Sequence, residues 1–301
     1  MICVECANSS IRELYATYRS EYIQLTRCPR CGKIADKYSE YDNVITFLDV
    51  LLLKKQAYRH LAVNVTEQQQ ILGHKRFMES MGLKPSSRVA NAQPRYGIRY
   101  IFSVHDKLVR FILITLLFEV YLTWAHVEKQ PSGQHPMAMA IVLQETILFQ
   151  YCYFIFQVLL SNTIFHCSLL LIFLSFFKWK VEHITVDKSF HKLQDLVVVF
   201  TTVAVSASVK LFPILTLIWP YDTSVFLPPV LFLVSMFYVV EALRGVTMLP
   251  FSKVLFGVGF SSLFLYALLI IVTRAAISMY FDVLFQRLIL EELNALSSIY
   301  V

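Results

Sequence analysis

Cysteines come in two short pairs near the start of the chain, Cys3-Val4-Glu5-Cys6 and Cys28-Pro29-Arg30-Cys31-Gly32. Four thiolates set out as CxxC, 21 intervening residues and CxxC have the spacing of a tetrahedral zinc site. Each pair bends around the metal, and the stretch between the pairs closes the loop. Gly32 directly after Cys31 supports a tight turn, since a residue free to take positive φ lets backbone N–H groups face the sulfur. Two other chemistries use paired cysteines. A redox CxxC opens a helix after a strand in a larger α/β domain, and nothing around Cys3 supplies one. Disulfides need an oxidising compartment, and no signal peptide stands ahead of Met1-Ile2-Cys3. The predicted cofactor is therefore structural zinc on Cys3, Cys6, Cys28 and Cys31, because four thiolates leave no open position for a reacting water. Cys152 and Cys167 lie in apolar runs and read as buried, inert thiols.

A second set of residues lies inside apolar stretches. Glu119, Glu145, Lys210 and Glu241 are ionisable groups where a charge is costly unless paired or hydrated. They are candidate lipid-binding residues, gripping a hydroxyl or headgroup at a lateral groove; the competing reading is a structural ion pair, with Lys210 as partner to one of the glutamates. His183, Asp187, His191 and Asp195 recur at four-residue intervals and would share one helical face. Such a face can bind metal or relay protons. Lys180, Lys188 and Lys192 in the same stretch favour an ordinary membrane interface instead. No nucleophile elbow and no Gly-rich phosphate loop occurs, so no catalytic residues are assigned and the chain is predicted not to be an enzyme.

The elements that must position these groups belong to a membrane protein. With 301 residues, 56% hydrophobic content, a mean hydropathy of +0.57 and 24 Phe, the chain is too apolar for a soluble domain of its size. Its +6 charge is concentrated at one end: residues 1–110 carry 17 Lys+Arg against 10 Asp+Glu, and residues 111–301 carry 10 against 11. The fold class predicted is mainly α, a polytopic helical bundle of about five crossings behind a small zinc-ribbon-like domain.

Residues 9–27 alternate in the manner of a β-hairpin with a cysteine knuckle at each end. Its core is so small that metal would supply much of its folding free energy. Asp42 or Asn43 caps a helix with apolar residues at 44, 47, 48, 51 and 52, too short to span and so expected on the membrane surface or against the bundle. Lys54, Lys55 and Arg59 follow, either reaching lipid phosphates or forming a solvated helix end. Residues 71–107 read as a basic connector, more a topology signal than a nucleic-acid reader.

Apolar segments cover 108–125, 137–160, 163–177, 196–219, 229–249 and 253–273, the second and third parted only by Ser161-Asn162-Thr163. Six crossings would put Lys178, Lys180, Lys188 and Lys192 opposite the basic amino-terminal region. Reading 137–177 as one crossing plus a bent or re-entrant piece restores them to the cytosolic side. The amino terminus is then cytosolic and the carboxy terminus lumenal. An amphipathic helix is expected over Ser278–Leu296. The predicted divisions are a module over 1–65, the connector over 66–107, the bundle over 108–275 and the tail over 276–301.

One stretch is more specific than any of this. CVEC, CPRC, Ala35-Asp36-Lys37-Tyr38, Glu40, Asp42-Asn43-Val44, Leu51-Leu52-Leu53-Lys54 and Ala57-Tyr58-Arg59-His60-Leu61 together resemble the Arv family and its homology domain. The match covers about the first 65 residues, and beyond it only the general plan agrees. The resemblance implies that Cys3, Cys6, Cys28 and Cys31 are the zinc ligands of an endoplasmic-reticulum membrane protein of lipid homeostasis. It also implies links to sterol distribution, sphingolipid balance and early glycosylphosphatidylinositol (GPI) anchor synthesis. The partners implied are membrane lipids (sterol, glycolipid intermediates) and subunits of the GPI N-acetylglucosaminyltransferase, and no nucleic acid. Two readings follow: a non-enzymatic lipid-handling protein, or an accessory subunit of that transferase.

Overall fold

A computed structural model describes residues 1–17, 23–80, 106–128, 136–180, 191–211, 227–281 and 284–290. The amino-terminal hairpin is present as β1 (Tyr15–Thr17) and β2 (Ile23–Leu25), antiparallel, with Tyr15 opposite Leu25 and Thr17 opposite Ile23. Its core consists of Met1, Cys3, Ile11, Leu14, Cys28 and Ala35, a handful of side chains that includes two of the cysteines themselves. So small a core leaves the hairpin dependent on a cross-link of some kind.

α1 (Asn43–Leu51) starts after Asp42, whose backbone is extended as a cap requires, although its carboxylate makes no capping bond. The helix is inverted with respect to its surroundings. Val44, Ile45, Phe47, Leu48 and Leu52 are exposed, while Thr46, Asp49 and Val50 are buried. Leu53 takes φ +55°, which ends the turn and starts α2 (Lys55–Arg59). α2 runs without a break through a π-helical turn (His60–Val65) into α3 (Thr66–Ser80). The first part of the expected connector, up to Ser80, is thus helical; 81–105 lie outside the described residues.

Four helices among the described residues are long and apolar enough to cross a membrane: Leu108–Glu128, Ile147–Phe176, Val230–Thr247 and Phe251–Phe281. They belong to α4 (Asp106–Glu128), α6 (Ile147–Leu171, extended by a π turn Ile172–Phe176), α8 (Leu227–Thr247) and α9 (Phe251–Phe281). The segment expected at 137–177 is one long helix plus a short one, but the break is not at Ser161–Thr163. It falls at Glu145-Thr146, after α5 (Met137–Gln144). Asn162 and Thr163 stay helical by bonding their side chains to the carbonyls of Val158 and Leu159 four residues back. At the true break, Gln150 donates to the carbonyls of Leu143 and Glu145, both at 3.0 Å, replacing the bonds that the chain reversal removes.

Of the stretch expected at 196–219, α7 (His191–Ser206) and a 3₁₀ turn (Ala207–Leu211) are described, and the remainder lies outside the described residues. α9 continues to Phe281 and so absorbs the start of the predicted tail helix; 285–290 are helical as well. Cys152 and Cys167 are exposed on α6, not buried: the apolar runs that contain them are outward-facing parts of a spanning helix, where solvent for the side chain is lipid.

The chain forms two compact units, each discontinuous in sequence. The first holds residues 1–112, 170–210 and 223–255, and packs Tyr58, Ala62 and Val63 against Val198 of α7 and Ala242 and Val246 of α8. The second holds 113–169, 211–222 and 256–301, with Val120, Val142, Phe154, Val158 and Ile277 at its centre.

Candidate metal centre

The two knuckles repeat one another bond for bond. Cys3 N–H donates to Asn8 O at 2.9 Å and Ala7 N–H to Cys3 O at 2.9 Å; Cys28 N–H donates to Lys33 O at 2.8 Å and Gly32 N–H to Cys28 O at 2.9 Å. The residue after each second cysteine is left-handed, Ala7 at φ +56° and Gly32 at φ +70°. β1 and β2 bring the knuckles face to face, with Cys3 Sγ 3.8 Å from Cys31 Sγ and Cys6 Sγ 3.6 Å from Cys28 Sγ. All four sulfurs lie within 4.8 Å of one another. A tetrahedron with Zn–S bonds of about 2.3 Å has edges of about 3.8 Å, so the sulfurs can hold a metal ion with little rearrangement.

The surroundings treat the thiols unequally. Burial pushes Cys3 up to about 12, against the N–H groups of Cys6 and Glu5, and burial also raises Cys6. Burial would raise Cys28 too, but the N–H groups of Cys31 and Arg30, with further bonds from Cys6 and Asn8, take it down to about 6. Metal binding by thiols requires their thiolate form, so loading the site would release protons.

A polar network joins the knuckles to the helices. Arg59 is not the lipid-facing or solvated charge that its place after Lys54-Lys55 suggested: it is 1% exposed. Its guanidinium donates to Val4 O at 2.9 Å, Glu5 O at 3.0 Å and Gly245 O of α8 at 2.8 Å, with Met248 Sδ at 2.9 Å. Asn64 clamps the neighbouring residue, accepting from Ile2 N–H at 2.8 Å and donating to Ile2 O at 3.0 Å. The π-helical turn helps residues five apart serve the same amino-terminal segment, since i→i+5 bonding underwinds the helix and brings 59 and 64 closer to one side. Asp36, fully buried, receives Asn64 Nδ2 at 2.7 Å and Tyr38 N–H at 3.0 Å, and lies 2.7 Å from His60 Nδ1. Sequence reasoning gave no role to Asp36, His60 or Asn64. The available signal was the run Ala57–Val65, apolar on every side of a helix, which forces its polar members inward.

The intramembrane candidates occupy separate places. Glu119 of α4 accepts from Asn162 Nδ2 of α6 at 2.9 Å, near the middle of both spans. Glu241 pairs with Arg244 one turn on, at 3.0 Å, and Glu145 stands at the α5–α6 break. Lys210 is half-buried in the 3₁₀ turn after α7. Asp195 is buried on α7, whereas His183 and Asp187 lie outside the described residues.

These features define a helical membrane protein carrying a four-cysteine, metal-competent module whose polar network is tied into one of the spanning helices. The chain belongs to the Arv1-like family, whose sequence model matches residues 2–243. The match therefore runs well past the first 65 residues and into α8. The chain is 40% identical over 266 residues to Protein ARV1 of Candida albicans, covering 87% of this chain and 84% of that protein. It is 30% identical over 285 residues to Protein ARV1 of Saccharomyces cerevisiae, covering 85% and 84%. With Protein ARV1 of Homo sapiens it is 45% identical over 62 residues, 21% of this chain and 22% of that one. No solved structure matches the chain.

Proposed function

We propose that the chain is a non-enzymatic endoplasmic-reticulum membrane protein of lipid homeostasis that mediates sterol distribution and supports GPI-anchor synthesis. The observation that carries the reading is family membership across both the module and the bundle, residues 2–243. The module faces the cytosol and holds zinc on Cys3, Cys6, Cys28 and Cys31. Four thiolates fill the ion's coordination shell, so its contribution is to cross-link the knuckles and not to react. Lipid is handled by the helices, with polar contacts at separate places: Glu119 and Glu145 in one unit, Lys210 and Glu241 in the other. Glu119 is the strongest of these, because the Asn162 amide already holds its carboxylate between two spans as a hydroxyl acceptor.

The test is purification in mild detergent. Sterol or glycolipid in stoichiometric amount, with no partner chain, is the expected result, and Glu119→Ala reduces the lipid carried. Transferase subunits that copurify without lipid would overturn the reading in favour of an accessory subunit.

A further inference from the structure

We propose that the outward face of α1 is a membrane-docking surface, seated in the phospholipid leaflet at the level where headgroups meet acyl chains. This rests on the reading of the chain as a membrane protein and is independent of which lipid it handles. In a water-facing helix the apolar stripe is buried and the polar stripe exposed. α1 has the reverse: Val44, Phe47, Leu48 and Leu52 are 68, 49, 51 and 68% exposed, while Thr46 and Asp49 are buried. Asp49 is held inward by Tyr38 Oη at 2.8 Å and Lys54 Nζ at 2.7 Å, so the orientation is fixed by polar bonds and is not a loose packing choice.

The surroundings identify the occupant. The end of α1 is bonded to a candidate span, Tyr238 Oη of α8 donating to Leu51 O at 2.7 Å. The outward residues of α8 just before this point, Phe232, Leu233 and Phe237, are exposed apolar groups, so the face of α1 continues a lipid-facing band. Farther along α8 the chemistry changes to basic. Exposed Arg244 lies one turn and a half beyond Tyr238, and Lys55 packs against Gly245. Trp179, flanked by exposed Lys178 and Lys180, donates to Thr247 O at 3.0 Å. From Tyr238 to Arg244 is about 9 Å along a helix axis, which matches the roughly 5–10 Å by which in-plane amphipathic helices sit below the headgroups. Arg244 is paired with Glu241 at 3.0 Å, so Lys55, Lys178 and Lys180 carry the net positive charge at headgroup level, suited to anionic phospholipid, and α1 is at the acyl boundary.

Photo-crosslinking on the full chain in phosphatidylcholine–phosphatidylserine vesicles tests this, with benzoylphenylalanine placed singly at Leu48, Leu52, Glu40 and Leu263. Leu263, exposed in the middle of α9, reports membrane insertion, and Glu40, exposed and charged ahead of α1, is the reference position off the apolar face. Phospholipid adducts at 48 and 52 are expected at yields within about two-fold of 263 and roughly ten-fold above 40. Adducts at 48 and 52 that are only to protein, or no more abundant than at 40, overturn the docking surface while lipid adducts at 263 leave the membrane reading standing. No lipid adduct at any of the four positions overturns both.

Discussion

Ala7 and Gly32 occupy equivalent places in the two knuckles and share a left-handed backbone, at φ +56° and +70°, yet only one of them is a glycine. A Cβ at position 32 would meet nothing within 4 Å, so the cost of Gly32→Ala is backbone strain alone. That strain is roughly 1–2 kcal/mol, which predicts an apparent metal affinity about ten-fold weaker. Ala7→Gly should act with the opposite sign and a smaller size, because glycine's extra freedom in the unfolded chain offsets about 0.5–1 kcal/mol of the relief. Competition with a chromophoric chelator on the detergent-purified protein measures both; equal losses in the two variants would refute the strain argument.

Removing a ligand should disorder the module and spare the bundle. With a core of Met1, Cys3, Ile11, Leu14, Cys28 and Ala35, the hairpin would depend on a bound ion to hold its two knuckles to one another, whereas Arg59 and Asn64 tie only the first knuckle to the helices. Cys3→Ser or Cys28→Ser is expected to abolish bound zinc and expose residues 1–35 to limited proteolysis, with membrane insertion unchanged. Elemental analysis checks the first expectation, and an undiminished zinc content in either variant would rule out the four-cysteine centre.

The knuckles, the hairpin and α1 were legible because each depends on local rules: ligand spacing, alternation and a capping position. Arg59 was not, since a cation after two lysines looks like a solvated helix end until the partners at Val4, Glu5 and Gly245 are in place, the last of them 186 residues away. The helix break at Glu145 was missed for a related reason. Ser161-Asn162-Thr163 has the polar composition of a turn, but in an apolar setting those side chains bond back to their own helix, and the turn is made where Gln150 can reach the freed carbonyls.

Acid should loosen α1 through Asp49. Burial would raise this carboxyl, but the bonds from Lys54 and Tyr38 outweigh it and hold it below the usual carboxylate range. A lowered folded-state value stabilises above the unfolded value of about 3.9, and the contribution is lost as pH falls through the folded one. Hydrogen exchange over residues 46–54 is therefore expected to be flat from neutral pH to about 5 and to rise below about 4. Metal loss also occurs in acid, so the comparison that decides is with Asp49→Asn, in which this step should be missing. The same step in that variant would assign it to the cysteines instead.

Arg59 makes the strongest prediction, because one side chain joins the metal knuckle to a spanning helix. Its three carbonyl partners sit on residues 4, 5 and 245, and a guanidinium can serve them at once because its donors are fixed in a planar fork. Lysine has the charge but is a single point on a flexible stem, so Arg59→Lys leaves carbonyls unpaired in a buried place. Each costs about 1–3 kcal/mol, and a loss of roughly 3 kcal/mol in holding the module on α8 follows. Arg59→Met, which removes the charge as well as the donors, should do no better, since the acceptors remain. The expected signature is fast hydrogen exchange at residues 2–6 and 245–249 together, with the middle of α8 and all of α9 still protected. Protection retained at both places in Arg59→Met would mean that apolar packing of Tyr58, Val63, Val198 and Ala242 holds the module without the arginine.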